Sequence, residues 1–336
     1  MDAARSPELL GSIGELIAGA TDRRTVHVPD GKSGSTFERL TIEGQPCFLK
    51  SLSYDDDWLM RITHDTHLWS ALVWRAGLYV QTPRVIDHTI IAMAVEGTGS
   101  SARLAFLMRD VGPALIPEGD EPVELDVHLG FVEHMALMHA HFWGWRDSLG
   151  LCDLAHRFNF FAPHNIAGEL TRADVSPVLV VAEQGWNQLP ERAAHLYRII
   201  VDIHARPNAL AAALRETPQT FIAGDWKMGN LGHHGDGRTV LLDWAYPGEA
   251  PGGWDLAWYL ALNRARLPKS KEETITAYRA ALRRAGVDVD DWFEKQIDLC
   301  LLGMIACFGW EKALGDDGEL AWWEDRAERA LRWLAR

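Results

Sequence analysis

Hydrophobic spacing changes character about a third of the way along the chain. Leu9, Ile13, Leu16 and Ile17 recur at helical intervals behind a Ser-Pro start, so the spacing predicts a leading helix over Ser6 to Ala20. Arg39 to Ile42 and Cys47 to Leu52 then read as two strands joined at Glu43-Gly44, preceded by the polar turn Asp30 to Phe37. Asp65 to Gly77 returns to helical spacing through Leu68, Ala71 and Leu72, and extended segments follow from Thr82 and over Arg103 to Met108. Beyond Asp110-Val111-Gly112-Pro113 the pattern turns helical. Leu125, Leu129, Val132, Ala136, Ala140 and Trp143 form one stripe, and further helices are expected at about 186 to 215, Asp255 to Leu262, Lys271 to Ala285, Asp291 to Trp310 and Glu319 to Leu334. One interruption stands out: Leu231 to His233 and Thr239 to Leu242 flank Gly235-Asp236-Gly237 as two strands flank a tight turn.

This division predicts an α+β protein with two lobes, a small antiparallel-sheet lobe over 1–109 and a larger, mainly helical lobe over 110–336, with a ligand cleft expected between them. A composition of 47% hydrophobic and 24% charged residues supports a folded chain. The formal charge of −14 argues against nucleic acid and anionic membrane as partners and favours a neutral or cationic ligand. No stretch approaches the roughly 18 apolar residues of a membrane span. Cys47, Cys152, Cys300 and Cys307 are scattered in apolar surroundings and read as reduced core residues, so a cytoplasmic location is expected.

Chemistry concentrates around the interrupting hairpin. Asp225-Trp226-Lys227-Met228-Gly229-Asn230, followed by Leu242-Asp243-Trp244, spaces groups as phosphoryl transfer needs them. In such a site an Asp receives or orients the proton of the attacking hydroxyl. An Asn five positions later and an Asp closing the following hairpin offer the hard oxygen donors that Mg²⁺ prefers. Lys227 places an ammonium beside the transferred group.

With Gly224 to Asn230, Leu242-Asp243-Trp244 and Gly253-Trp254-Asp255-Leu256-Ala257, the chain resembles the aminoglycoside phosphotransferase and choline kinase-like family of small-molecule kinases, which have a protein-kinase-like fold. The resemblance covers nearly the whole chain and extends to Met138 through Trp143, similar to the end of that family's long core helix. It implies Asp225 as catalytic base, Asn230 and Asp243 as magnesium ligands, and Asp255 as a carboxylate supporting the catalytic loop. One position departs from the pattern: the family places His two residues before the base, where this chain has Ala223.

Lys50 lies within an apolar strand, where an unpaired ammonium would be costly, so it needs a partner. By the resemblance it holds the α- and β-phosphates of ATP and is oriented by an acid on the crossing helix. No Glu occurs between Lys50 and Pro83, which leaves Asp65 as the best-placed acid. Ser33, Gly34 and Ser35, ahead of the hairpin that carries Lys50, are the expected phosphate-covering loop, and adenine is expected at the backbone near Phe106 to Arg109. Asp55-Asp56-Asp57 reads as a solvated run, His233-His234 as a solvated turn, and His139 as a packed residue or one in a local hydrogen bond. Most of the Trp residues read as core. Some of them, beside Glu311, Glu324 and Asp325, would suit a cationic ligand.

The expected function is ATP- and Mg²⁺-dependent phosphorylation of a small-molecule hydroxyl, on an aminoglycoside, amino sugar or related metabolite. Only 11 positions separate Asp243 from Asp255, too few for the long activation segment of a protein kinase. A non-catalytic nucleotide-binding module on the same fold is the alternative, favoured by Ala223 and by the missing helix Glu.

Overall fold

A computed structural model describes residues 7–28 and 33–334. The chain divides into two compact units, one formed by Met1–Gly119 with Met228–Pro247 and the other by Asp120–Lys227 with Gly248–Arg336. The division therefore falls ten residues beyond the expected 109/110 boundary, and the 228–247 hairpin belongs to the N-terminal unit.

The N-terminal unit is built on a six-stranded sheet of β1 (Leu9–Leu10), β2 (Thr21–Thr25), β3 (Thr36–Ile42), β4 (Gln45–Ser53), β6 (Ile90–Glu96) and β7 (Arg103–Arg109), in the order β1-β6-β7-β4-β3-β2. β5 (Ile86–Asp87) pairs instead with the hairpin strand Thr239–Leu241. All pairs within the large sheet are antiparallel except β1 with β6. The β3–β4 turn is the expected two-residue loop, with Glu43 and Gly44 both at positive φ (49° and 76°), as the tightest hairpins require. Along β4 burial alternates: Cys47 and Leu49 enter a core with Leu40, Ala105, Leu107, Leu16 and Ile17, so Lys50 emerges on the opposite face with Phe48.

The expected leading helix is mostly absent. Leu9–Leu10 is a strand, and α1 is the single turn Ile13–Leu16, begun by the Ser12 hydroxyl accepting from Glu15 N–H at 3.1 Å. Ser6 lies outside the described residues. The crossing segment holds two helices where one was expected, α2 (Trp58–Thr63) and α3 (Trp69–Arg75), separated by left-handed backbone at His64 and Leu68.

The second unit is helical. It comprises α4 (Leu125–His141), α5 (Leu154–Arg157), α6 (Pro163–Leu170), α7 (Pro177–Arg192), α8 (Ala194–Ala205), α9 (Pro207–Arg215), α10 (Gly253–Leu262), α11 (Lys271–Arg284), α12 (Phe293–Ala313) and α13 (Asp317–Leu334). α12 is buried along nearly its whole length and packs on α7, α8, α9, α10 and α13. It departs from helical geometry at Phe308 (φ −119°, ψ 17°). A short antiparallel pair, Thr220–Ile222 with Gly248–Ala250, carries the chain into the Asp225 loop. All four cysteines are buried thiols, and no helix among the described residues is long and apolar enough to cross a membrane.

Candidate active site

In the N-terminal unit the hairpin brings Asn230 and Asp243 together for a simple reason. Its register pairs Leu231 with Leu241, and Leu242 N–H donates to the Asn230 carbonyl at 2.9 Å, so Asn230 lies opposite Leu242, the residue next to Asp243. Asp243 sits at φ 51°, left-handed backbone that Asp tolerates better than most residues. A bridge from Leu115 to Gly232 and a bond from Ile116 N–H to the Leu231 carbonyl hold the hairpin against the segment after β7. Only glycine fits at 232, since a side chain there would meet the Ala114 carbonyl at 2.6 Å.

Lys50, Asn230 and Asp243 all line one cavity of about 330 Å³, floored by Phe37, Phe48 and Met108. That is the size of a small-molecule pocket. Its wall includes Arg109 to Gly112, which with Met108 overlaps the end of the strand where adenine was expected. The Lys50 ammonium donates to Asp243 Oδ1 at 2.6 Å. The ion pair answers the need for a partner, but with a different acid from the one expected. Asp65 carboxylate oxygens instead accept from Trp69 N–H at 3.0 and 3.1 Å, capping the start of α3. Lacking one methylene relative to Glu and turned toward its own helix, Asp65 has no bond to Lys50. Burial pushes its carboxyl up to about 7, against the pull of the Trp69, His67 and Leu68 amides.

Asp57 is likewise corrected. It is 3% exposed rather than solvated, and it caps α2 by accepting from Leu59 and Met60 N–H at 2.9 and 3.1 Å. The Ser33 and Ser35 hydroxyls also donate to it, at 2.6 and 3.1 Å, which anchors the described part of the expected phosphate loop. Gly34 between them adopts φ 110°, and a side chain there would collide with the Asp56 carbonyl. Asp30, Gly31 and Lys32 lie outside the described residues. Burial raises the Asp57 carboxyl above its usual range, opposed by the Ser33 hydroxyl and the nearby Lys50 charge. His234, expected at a solvated turn, donates from Nε2 to the buried Asp87 carboxylate at 2.8 Å, and Asp87 also holds Arg109.

In the helical unit the Asp225 loop hangs from α10. Asp255, wholly buried, accepts from Ala223 N–H at 3.1 Å and Gly224 N–H at 2.9 Å. His139 Nε2 approaches the same carboxylate at 3.3 Å, and Tyr278 Oη approaches His139 Nδ1 at 2.8 Å. Burial holds the Tyr278 phenol far above its ordinary range, so its O–H donates to Nδ1 and the imidazole gives its Nε2 proton to Asp255. His139 is thus bonded across the unit rather than locally. This chain of bonds fixes the loop backbone where Ala223 replaces the expected His. Asp225 itself is 4% exposed, with Oδ1 accepting from the Trp258 indole N–H at 2.7 Å and Oδ2 lying 3.4 Å from the Lys227 ammonium.

Asp87 and Trp258 escaped the reading of the sequence, and Asp57 and His139 were read there with other roles. A signal existed for two of them: Asp directly before a helix is a preferred cap, and Trp258 falls three residues after Asp255 on one face of α10.

No family model matches the chain, and no curated protein matches it. Solved structures do. An amicoumacin kinase, solved with AMP-PNP, Ca²⁺ and Ami, superposes with a TM-score of 0.51 at 12% identity, covering 97% of this chain and 89% of that one. A microcompartment-associated aminopropanol kinase gives 0.48 at 13% identity over 94% and 89% of the two chains, and the choline kinase of Streptococcus pneumoniae 0.45 at 10% over 96% of each. The fold is therefore the one expected, a kinase-like α+β fold with an N-terminal sheet unit and a larger helical one.

Proposed function

We propose that this chain transfers the γ-phosphoryl group of ATP to a hydroxyl of a small, cationic molecule such as an aminoglycoside, amino sugar or amino alcohol. The observation that carries the reading is the Lys50–Asp243 ion pair, which lines one cavity with Asn230; Asn230 and Asp243 both come from the hairpin that directly follows the Asp225-Lys227 loop in the chain. The net charge of −14 supports a cationic acceptor.

The donor set fits a magnesium ion. Asn230 and Asp243 offer an amide and a carboxylate oxygen, which suits an ion that takes one or two protein oxygens and completes its shell with phosphates and water. When bound, the ion would neutralise charge on the β- and γ-phosphates. Lys50 supplies positive charge for the phosphate chain from the same cavity. Asp225 orients the acceptor hydroxyl and takes its proton. The acceptor oxygen forms a bond to γ-phosphorus as the bond to the β–γ bridging oxygen breaks, leaving ADP. Lys227 offsets charge on the transferred group.

The test is ADP release from ATP and Mg²⁺ across a panel of aminoglycosides, amino sugars and amino alcohols, with thermal shift run in parallel. Acceptor-dependent ADP is expected. Nucleotide stabilisation with no turnover anywhere in a broad panel would favour the binding-module alternative.

A further inference from the structure

Asp225 is held from two sides by one helix. α10 places Asp255 under the loop backbone and, three residues later on the same face, Trp258 against the carboxylate. A carboxylate on a short side chain turns freely about its last bond unless an oxygen is held. Here Oδ1 is held at 2.7 Å by an indole N–H on a rigid helix, while Oδ2 lies toward Lys227 at 3.4 Å. The two oxygens are thereby made different. The indole is itself fixed: its ring meets Phe308 edge-on, with centroids 5.0 Å apart and planes at 82°, at the residue where α12 leaves helical geometry. Burial alone does not explain the bond, because the equally buried indoles of Trp226, Trp254 and Trp310 have no hydrogen-bond partner among the described residues.

We propose that Trp258 is a positioning residue that locks the Asp225 carboxylate, so that Oδ2 is the oxygen presented to the acceptor hydroxyl. This rests on the reading of Asp225 as the base. It goes beyond that reading in assigning each carboxylate oxygen a separate role. An N–H aimed at a carboxylate also favours its ionised form, which a base requires.

Trp258→Phe keeps an aromatic ring and removes the donor, together with the volume of the indole's second ring. With ATP and Mg²⁺, and water as acceptor until an alcohol is identified, kcat is expected to fall roughly ten- to hundredfold, the scale of a misplaced catalytic group. The acid limb of the kcat profile should move to higher pH while nucleotide Kd stays within about twofold. An unchanged kcat and acid limb would overturn the proposal, as would a joint loss of kcat, Kd and thermal stability with the limb unmoved. A second measurement does not depend on turnover. Among the indole signals of the 15 tryptophans, the one lost in Trp258→Phe should titrate with pH in the native protein and not in Asp225→Asn. A signal indifferent to both pH and Asp225→Asn would overturn the bond itself. Full turnover in Asp225→Asn would instead remove the base assignment, whatever the indole signal shows.

Discussion

The hairpin of the N-terminal unit and the Asp225 loop of the helical unit solve opposite problems. Around the hairpin, charges are partly exposed and paired with one another: the side chains of Lys50 and Asp243 are 15% and 38% accessible. Under the proposed function both partners are groups a nucleotide and its metal would claim, so the pair would be exchanged on binding. Under the loop, Asp255 and His139 are completely buried, and their bonds run to backbone amides and a neutral phenol. None of those bonds is to a group expected to touch a ligand. A site that must let substrates in keeps its exchangeable charges near solvent. The element that must not move is held by groups already satisfied in the empty protein.

The sharpest break in this comparison comes from Asp225→Asn. Turnover should fall by roughly three orders of magnitude or more, as expected for loss of a base that also orients its substrate, with nucleotide affinity measured by calorimetry nearly unchanged. Near-native kcat would remove the assignment. Asp255→Ala should act through the fold. It orphans two buried amides and the His139 ring, each worth about 1–3 kcal/mol, so denaturant titration should show a loss of several kcal/mol. A stability within about 0.5 kcal/mol of native would mean the loop does not depend on its anchor. Asp243→Asn should do the reverse, leaving the melting temperature close to native while abolishing the Mg²⁺-dependent part of nucleotide binding. If that affinity survives, Asp243 is a structural carboxylate and the exchange argument fails.

Much of this was legible in the sequence because the relevant elements are local. The hairpin needs only Gly235-Asp236-Gly237 between two short apolar runs, and the order Asp225, Lys227, Asn230, Asp243 lies within one stretch of chain. The long helices follow from their spacing. What could not be read was long-range pairing. Lys50 meets Asp243 across 193 positions, and no periodicity reports that. The Asp triplet hid a buried cap, because three like residues read as a charged surface when only Asp57 precedes a helix. The leading helix failed where Leu9–Leu10 found a partner in β6: pairing with a distant strand overrode local spacing.

Asp65 provides the smallest and most selective test, since it separates the acid expected to hold Lys50 from the acid that does. Its carboxyl, near 3.8 in an unfolded chain, is pushed up to about 7 in the folded one, chiefly by burial. Between about pH 4 and 7 the unfolded state therefore binds fewer protons than the folded state, and stability falls as pH rises through that window, levelling off above it. Asn cannot ionise, yet its side-chain oxygen can still accept from Trp69 N–H. Asp65→Asn should match the native protein near pH 4 and exceed it at pH 8 by about 2 kcal/mol, less than the full shift at 1.36 kcal/mol per unit would give. Equal pH slopes in the two proteins would show that Asp65 ionises freely in the folded state. Nucleotide affinity in the variant should stay native, because the Lys50 ammonium is held by Asp243 at 2.6 Å and not by Asp65. A marked loss of affinity would return Asp65 to the nucleotide site and move the boundary between exchangeable and fixed acids from the hairpin to the start of α3.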